Sequence, residues 1–216
     1  MGVGRVRYLL IDFDGPVCSV FAGFPAPDVA RSLREYLRGE VSDGWMAHVD
    51  DPHEVLRATV ELGPSVAARA NQELARLEVE AVKTATVTPY ATDLFDRAKA
   101  SGAKLAIVSN NAQTAVETYL SDNGLLASID NVSARSDPDP TLMKPNPYLV
   151  TKAIGALDAD RESSALVGDQ VSDIIAAHCA GVRAVGYANK SGKADSFKEA
   201  SADLIITSMA DLFAHV

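Results

Sequence analysis

A series of short, almost wholly apolar segments constrains the fold of this chain more than any other feature. Each is three or four residues long and is closed by polar residues or glycine; a weaker sixth candidate lies at 131–133. The five clear segments are residues 8–11, 105–108, 165–167, 183–186 and 204–206. A short run of this kind is typical of a strand that is buried on both faces, as in a parallel sheet.

Helical patterns separate these segments in the second half of the chain. They cover residues 91–100, 112–123, 147–157 and 171–180, and several are followed by glycine, where a helix commonly ends. Alternating strands and helices predict right-handed βαβ crossovers. We therefore predict an α/β fold with a Rossmann-like, doubly wound parallel sheet, whose ligands bind at the carboxyl ends of the strands.

The stretch from residue 17 to residue 86 interrupts this alternation. It offers no convincing strand, and its patterns predict helices at 28–38, 52–62 and 64–83. The last of these carries an apolar stripe at helical spacing, formed by Val66, Ala70, Leu74, Leu77 and Ala81. We predict a core domain of residues 1–16 and 87–216, with a helical cap domain of residues 17–86 inserted after the first strand.

Composition and charge limit the partners of the chain. Its 216 residues fit one sizeable domain with an insertion, and 29 acidic against 20 basic residues give a net charge of −9. This charge disfavours nucleic acid and anionic membranes as partners, so a phosphate site would need a local lysine, metal ion or set of backbone N–H groups. Asp12 and Asp14 end the first apolar stretch at a length shorter than a signal segment or membrane span, and two cysteines could form one disulfide at most, so we expect a cytoplasmic protein.

Two carboxylates, those of Asp12 and Asp14, follow the first predicted strand, and Gly15 comes directly after them. With one residue between them, the two side chains can point the same way. This suits one carboxylate as nucleophile and metal ligand and the other as general acid and base. Asp-x-Asp-Gly is also common turn chemistry, so the pair needs partner residues before it indicates catalysis.

Two further polar segments lie at a strand end and in an adjoining loop. Ser109 and Asn110 stand between a strand and a helix, where they can hold a phosphate group, although a simple helix cap or a solvated loop has the same pattern. Lys144 precedes Pro145 in a stiff segment, which favours a positioned charge, whereas most lysines are solvated at the surface.

A second pair of acids, Asp169 and Asp173, follows the segment at 165–167. The four-residue spacing is expected to place both carboxylates on one face of a helix. Mg²⁺ prefers oxygen ligands, so these two acids together with Asp12 make a plausible metal site. The alternative is that Asp169 caps the helix and Asp173 complements its dipole.

All of these side chains fall at predicted carboxyl ends of sheet strands or in adjoining loops. Independent helix caps need not assemble into one site. Together the residues supply a nucleophile, a general acid and base, a cation and Mg²⁺ ligands, which is the set that phosphoryl transfer requires.

In order and approximate spacing, these motifs resemble the four motifs of the haloacid dehalogenase superfamily of hydrolases, over nearly the whole chain. The matching positions are residues 12–15, Ser109, Lys144 and residues 168–173. The resemblance implies that Asp12 attacks the phosphorus of a small phosphate monoester to form an aspartyl-phosphate. Ser109 would hold a phosphoryl oxygen, and Lys144 would neutralise charge around the nucleophile and the phosphate.

The resemblance also implies a second role in the first motif and a cofactor. Asp14 would protonate the leaving alcohol and then activate water. Mg²⁺ would bind Asp12, the backbone carbonyl of Asp14, and Asp169, with Asp173 supporting it directly or through water.

Family members that cleave carbon–halogen bonds work without the metal and typically lack the second acid, so Asp14 favours a phosphatase. Pro16 departs from the family pattern, which usually has threonine there, and this affects the local loop.

The inserted helices resemble the first-position caps of this superfamily, which close over the substrate and select it. Trp45, His48 and His53 are candidates to line the cleft, while the cap interior or the surface are equally ordinary places for them.

A phosphate mutase of the same superfamily shares every catalytic residue and stays open as an alternative. A receiver-type phosphoacceptor domain is disfavoured, because such domains are smaller and lack the helical insertion.

Overall fold

The structure is a computed structural model that describes residues 6–216, so the first five residues of the predicted core domain lie outside the described part. Strands and helices alternate along most of its length. In chain order the elements are β1 (Tyr8–Ile11), β2 (Cys18–Ser19), α1 (Ala26–Tyr36), α2 (Pro52–Ala58), α3 (Pro64–Val82), β3 (Thr86–Val87), α4 (Ala91–Ser101), β4 (Lys104–Ala112), α5 (Gln113–Asp122), β5 (Asn131–Arg135), α6 (Tyr148–Ala156), β6 (Ser164–Gly168), α7 (Val171–Cys179), β7 (Arg183–Tyr187), α8 (Lys193–Glu199) and β8 (Leu204–Ile206).

Six of these strands form one parallel sheet in the order β5-β4-β1-β6-β7-β8. The central strand β1 pairs with β4 on one side and with β6 on the other, so that Leu10 lies opposite both Ala106 and Leu166. The chain builds one half of the sheet and then crosses to the other, which reverses the strand order beside β1. Such a reversal opens a crevice at the carboxyl ends of the strands. The predicted α/β fold is confirmed.

Helices cover both faces of the sheet. Leu9 and Ile11 pack in one cluster with side chains of α4 and α5, whereas Leu10 packs in a second cluster with side chains of α6 and α7. Because β1 is buried on both faces, its sequence is apolar without interruption. No helix among the described residues is both long and apolar enough to cross a membrane.

The inserted helices α1, α2 and α3 share a hydrophobic cluster of their own, which includes Leu33, Leu56 and Leu74. The predicted stripe on α3 is buried, but its members divide between two clusters. Leu77 belongs to the cluster of the inserted helices, while Ala81 packs in a cluster of the sheet. Helix α3 therefore joins the insertion to the core.

Three elements, β2, β3 and α8, were absent from the prediction. Strand β2 lies in the stretch that was expected to hold no strand, and it forms a two-residue antiparallel ribbon with β3 where the chain enters and leaves the inserted helices. Two paired residues are too few to show a period. Helix α8 was missed because Phe197 is the one side chain that it buries among its seven residues.

Candidate active site

Asp12 lies at the carboxyl end of β1, directly beside the crevice. Its backbone N–H donates to the carbonyl oxygen of Val167 at 2.8 Å, which extends the pairing of β1 with β6 by one bond. The turn that follows needs Gly15, whose φ is +103°, and a Cβ at this position would lie 2.6 Å from Cγ of Asp169. The first motif thus packs against the last one.

Lys144 brings a buried positive charge to this strand end. Its side chain is 2% exposed, and Nζ lies 2.7 Å from Oδ1 of Asp12, 2.7 Å from Oδ1 of Asp173 and 2.8 Å from the carbonyl oxygen of Val108. Burial acts to lower the pKa of Lys144, but the two carboxylates outweigh it and raise the pKa above its ordinary value. The ammonium group is therefore charged and fixed in place.

Asp12, Asp169 and Asp173 form a buried acidic cluster in which one oxygen of each lies within 4.8 Å of the others. Burial and the neighbouring Asp173 and Asp169 raise the pKa of Asp12 to about 8, while Lys144 acts in the opposite direction. Asp169 Oδ2 also contacts Lys193 Nζ at 2.5 Å. Three converging carboxylates form an all-oxygen donor set, and this chemistry fits a hard divalent cation.

The expectation that Asp169 and Asp173 share a helix face was wrong. Helix α7 begins at Val171, so Asp169 lies in the turn before it. Asp169 is not the helix cap either, because Gln170 is the N-cap residue. Asp173 Oδ2 accepts from the backbone N–H of Gln170 at 2.9 Å, while Asp173 Oδ1 contacts Lys144. One oxygen caps the helix and the other belongs to the site.

Gly168→Ala is expected to destabilise the protein by about 1–3 kcal/mol, because the new Cβ would lie 2.2 Å from Cγ of Asp173 and the side chain has to move. Urea unfolding measures the change. Gly155→Ala is the matched control, since a Cβ there meets no atom of the described residues within 4 Å and alanine favours the helix. Equal free energies of unfolding for the wild type and Gly168→Ala would contradict the close packing of this turn.

Asp14 lies apart from the acidic cluster but lines the same cavity. Its Oδ1 accepts from the backbone N–H of Val20 at 2.9 Å. Burial raises the pKa of Asp14 to about 6, with Asp169 adding to the rise and the Val20 N–H opposing it. A carboxyl group with such a pKa can both donate and accept a proton near neutral pH.

Pro16 lies in the loop after the first motif and lacks the side-chain hydroxyl that threonine would bring there. A hydroxyl nevertheless reaches this loop from the residue that follows β3, because Thr88 Oγ1 donates to the carbonyl oxygen of Gly15 at 2.5 Å. The backbone N–H groups of Val17 and Cys18 both donate to the carbonyl oxygen of Phe13. The turn is therefore closed by bonds that do not need an N–H at position 16.

Ser109 and Asn110 occupy different environments at the end of β4. Ser109 is fully buried, and its Oγ donates to Oδ1 of Asn111 at 3.1 Å and accepts from the Asn111 N–H at 3.1 Å. Asn110 lines the cavity, accepts from the N–H of Lys144 at 2.7 Å and donates to its carbonyl oxygen at 3.1 Å. The amide of Asn110 therefore clamps the backbone that carries the lysine.

A cavity of about 940 Å³ opens above Asp12, between the sheet and the inserted helices. Of the three candidates in the insertion, His53 lines this cavity, Trp45 packs against the cluster of the inserted helices, and His48 is exposed. Arg57 also lines it, and its Nη2 donates to the carbonyl oxygen of Lys144 at 2.7 Å.

Sequence reasoning missed several charged residues around the site. Arg57 and Lys193 had no distinguishing signal, because in sequence each looks like an ordinary solvated basic residue. Glu78 did have one, since it lies four residues after Leu74 and so falls on the buried stripe of α3, where an acid is unusual. That signal indicates a buried partner, although it does not identify Arg135 as that partner.

Comparison with known proteins agrees with the resemblance that the four sequence motifs indicated. Residues 7–181 match the family of haloacid dehalogenase-like hydrolases. The pyrophosphatase PpaX of Halalkalibacterium halodurans is 35% identical over 113 residues, which are 51% of each chain, and that of Bacillus velezensis is 30% identical over 128 residues, 58% of each. The match thus spans little more than half the length of these curated relatives.

The whole fold is also found among solved structures. The crystal structure of a predicted phosphatase from Clostridium acetobutylicum superposes with a TM-score of 0.76 over 97% of both chains, at 16% identity. The family match covers most of the sequence, including all four motifs that surround the crevice. The chain belongs to the family of haloacid dehalogenase-like hydrolases.

Proposed function

We propose that this protein is a Mg²⁺-dependent phosphatase that hydrolyses a small phosphate monoester through an aspartyl-phosphate on Asp12. The observation that carries the proposal is the buried arrangement around Asp12, whose carboxylate meets the Lys144 ammonium and the carboxylates of Asp169 and Asp173. Such a site offers a nucleophile whose surroundings can stabilise the charge of a phosphoryl group.

In the first half of the proposed reaction, an oxygen of Asp12 attacks phosphorus and the bond to the leaving alcohol breaks. Asp14 donates a proton to that alcohol. In the second half, Asp14 accepts a proton from water, which attacks phosphorus and releases inorganic phosphate and free Asp12. Lys144 neutralises charge on Asp12 and on the phosphate throughout, which suits its fixed position.

The proposed Mg²⁺ would be held by Asp12, Asp169, Asp173 and the backbone carbonyl of Asp14, and would supply charge neutralisation at the phosphoryl oxygens. The acidic cluster supports this choice, because its ligands are all oxygen atoms. Lys193 would have to share or release Asp169 when a cation binds.

Residues 17–86 are proposed as the cap that closes the site, with His53 and Arg57 on its inner surface.

The test is a substrate panel containing phosphoglycolate, sugar phosphates, nucleotides, a chromogenic aryl phosphate and pyrophosphate. Pyrophosphate is included because the curated relatives are pyrophosphatases. We expect phosphate release from at least one small monoester with Mg²⁺, its loss after EDTA treatment and its recovery when Mg²⁺ is added back. A rise in melting temperature with Mg²⁺ gives a readout that does not depend on turnover.

Three outcomes separate the alternatives. Release of phosphate that survives exhaustive chelation would contradict the metal assignment. An isomerised sugar phosphate among the products would favour a mutase. A protein that is folded and binds Mg²⁺ but releases phosphate from no member of the panel would contradict the proposed function.

A further inference from the structure

An ion pair is buried between α3 and the sheet, apart from the groups that the proposed reaction uses. Glu78 is fully buried, and its carboxylate accepts from four donors. Oε1 accepts from His53 Nε2 at 2.9 Å and from Asn111 Nδ2 at 3.1 Å. Oε2 accepts from the Ala112 N–H at 2.8 Å and from Arg135 Nη2 at 2.5 Å. Two of the donors belong to the end of β4, and a third belongs to the cavity wall.

Arg135, the partner of Glu78, ends the edge strand β5 and has a side chain that is 2% exposed. Its guanidinium group contacts three residues, two on α3 and one near the end of β4. Nε donates to the carbonyl oxygen of Asn110 at 2.8 Å, Nη1 donates to the side chain of Asn71 on α3, and Nη2 donates to Glu78. The fork of the guanidinium thus fixes α3 against the end of β4.

The same network continues to the nucleophile. Asn110, whose carbonyl oxygen accepts from Arg135, holds the backbone of Lys144 with both atoms of its side-chain amide. Lys144 in turn contacts Asp12. Every link is a hydrogen bond of 3.1 Å or less, so an unbroken series of contacts connects Glu78 to Lys144 and Asp12.

Stability alone does not account for this pair. Apolar side chains of similar volume commonly stabilise a buried contact as well as an ion pair does, because charges lose hydration on burial. Burial is the largest influence on the pKa of Glu78 and acts to raise it, yet Arg135 and His53 bring the net pKa below its ordinary value. The carboxylate is therefore ionised, and its bonds are directional in a way that apolar packing is not.

We propose that Glu78 and Arg135 are positioning residues, which hold the end of β4 (residues 109–112) and Lys144 in register with Asp12 and dock α3 so that His53 faces the cavity. The activity part of this inference rests on the proposed phosphatase function. The geometric part does not, because it can be measured on the protein without a substrate.

Glu78→Gln is the first test. An amide has one oxygen and one NH₂ group, so either orientation sets the NH₂ against at least one group that can only donate, either Asn111 Nδ2 or the pair formed by the Ala112 N–H and Arg135 Nη2. We expect kcat to fall by roughly 10–100-fold with a smaller change in KM, measured at a temperature where the variant is fully folded. Backbone amides of residues 109–112 should exchange hydrogen faster, while those of β6 should not change.

Glu80→Gln is the matched control on the same helix. Glu80 is exposed, and its partner is the exposed Lys83 at 2.6 Å, so we expect wild-type kcat, KM and hydrogen exchange. Full activity per folded molecule in Glu78→Gln, with unchanged exchange at residues 109–112, would overturn the proposal.

Arg135→Lys keeps the inference testable if Glu78→Gln does not fold. Lysine preserves the charge beside Glu78 but cannot reproduce the guanidinium fork that also contacts Asn110 and Asn71. We expect a folded protein with a lower kcat and faster exchange at residues 109–112. Wild-type values of both would overturn the inference, whereas a wild type that turns over no substrate would contradict the proposed function and leave the exchange test in force.

Discussion

Asp12→Asn is expected to lower the rate of phosphate release by roughly 10⁴-fold or more, because an amide oxygen cannot form the aspartyl-phosphate and the metal site loses a carboxylate. Release of phosphate at saturating Mg²⁺, from the substrate that the wild type hydrolyses best, measures this loss. Asp122→Asn, at the exposed end of α5, is the control and is expected to keep wild-type activity. Turnover within tenfold of the wild type would remove Asp12 from the role of nucleophile.

The same substitution is expected to leave the protein at least as stable as the wild type at pH 7. The pKa of Asp12 is raised from 3.8 to about 8. A raised pKa means that protonated Asp12 stabilises the fold at low pH and that this contribution is lost as the pH rises towards 8. Asparagine stays neutral at every pH, so unfolding by urea will distinguish loss of chemistry from loss of structure.

Lys144→Met is expected to impair both stability and activity, with a loss of about 3–5 kcal/mol in the free energy of unfolding. The physical reason is that two buried carboxylates, of Asp12 and Asp173, and the carbonyl oxygen of Val108 lose their shared donor. Phosphate release should fall by roughly 10³-fold, since the charge that faces the phosphate is removed.

Urea unfolding and phosphate release on the same preparation check this second prediction. Lys152→Met on α6 is the control, because Lys152 is exposed and its recorded contact is with Ser136 Oγ at 3.4 Å. Wild-type stability in Lys144→Met would show that the buried ammonium is not needed to hold the two acids together. The contrast with Asp12→Asn separates the residue that reacts from the residue that organises the site.

The fold could be predicted because its strongest signals are local. A strand buried on both faces has to be apolar at every position, and an inserted amphipathic helix has to repeat its apolar side chains every three or four residues. Among the described residues, five of the six strands of the sheet and seven of the eight α-helices carry one of these patterns, whereas β5 has polar residues at three of its five positions and was only a weak candidate. Helix α8 and the ribbon of β2 with β3 bury too few side chains to create a pattern, so they became visible in the structure alone.

For the residues of the site, too, some properties could be predicted from the sequence and others became visible only in the structure. Asp12, Asp14, Lys144, Asp169 and Asp173 could be proposed from sequence because strand ends attract chemistry and because their order resembles a known family. The reason for the proximity of Asp169 and Asp173 was mistaken, since Asp169 lies in the turn before α7 and Asp173 caps the start of that helix, so the two do not share a helix face. Ser109 is bonded within its own strand end, and its contact with phosphate stays a prediction.

The sequence by itself determined which residues have to be buried, where strands and helices alternate, and which polar groups stand at the strand ends. These properties depend on neighbours in the chain. The tertiary structure alone decided that Lys144 lies between Asp12 and Asp173, that Arg57 faces the cavity, and that Glu78 pairs with Arg135. Those contacts join residues that are far apart in sequence, and a distant partner leaves no period or spacing by which a single sequence could reveal it.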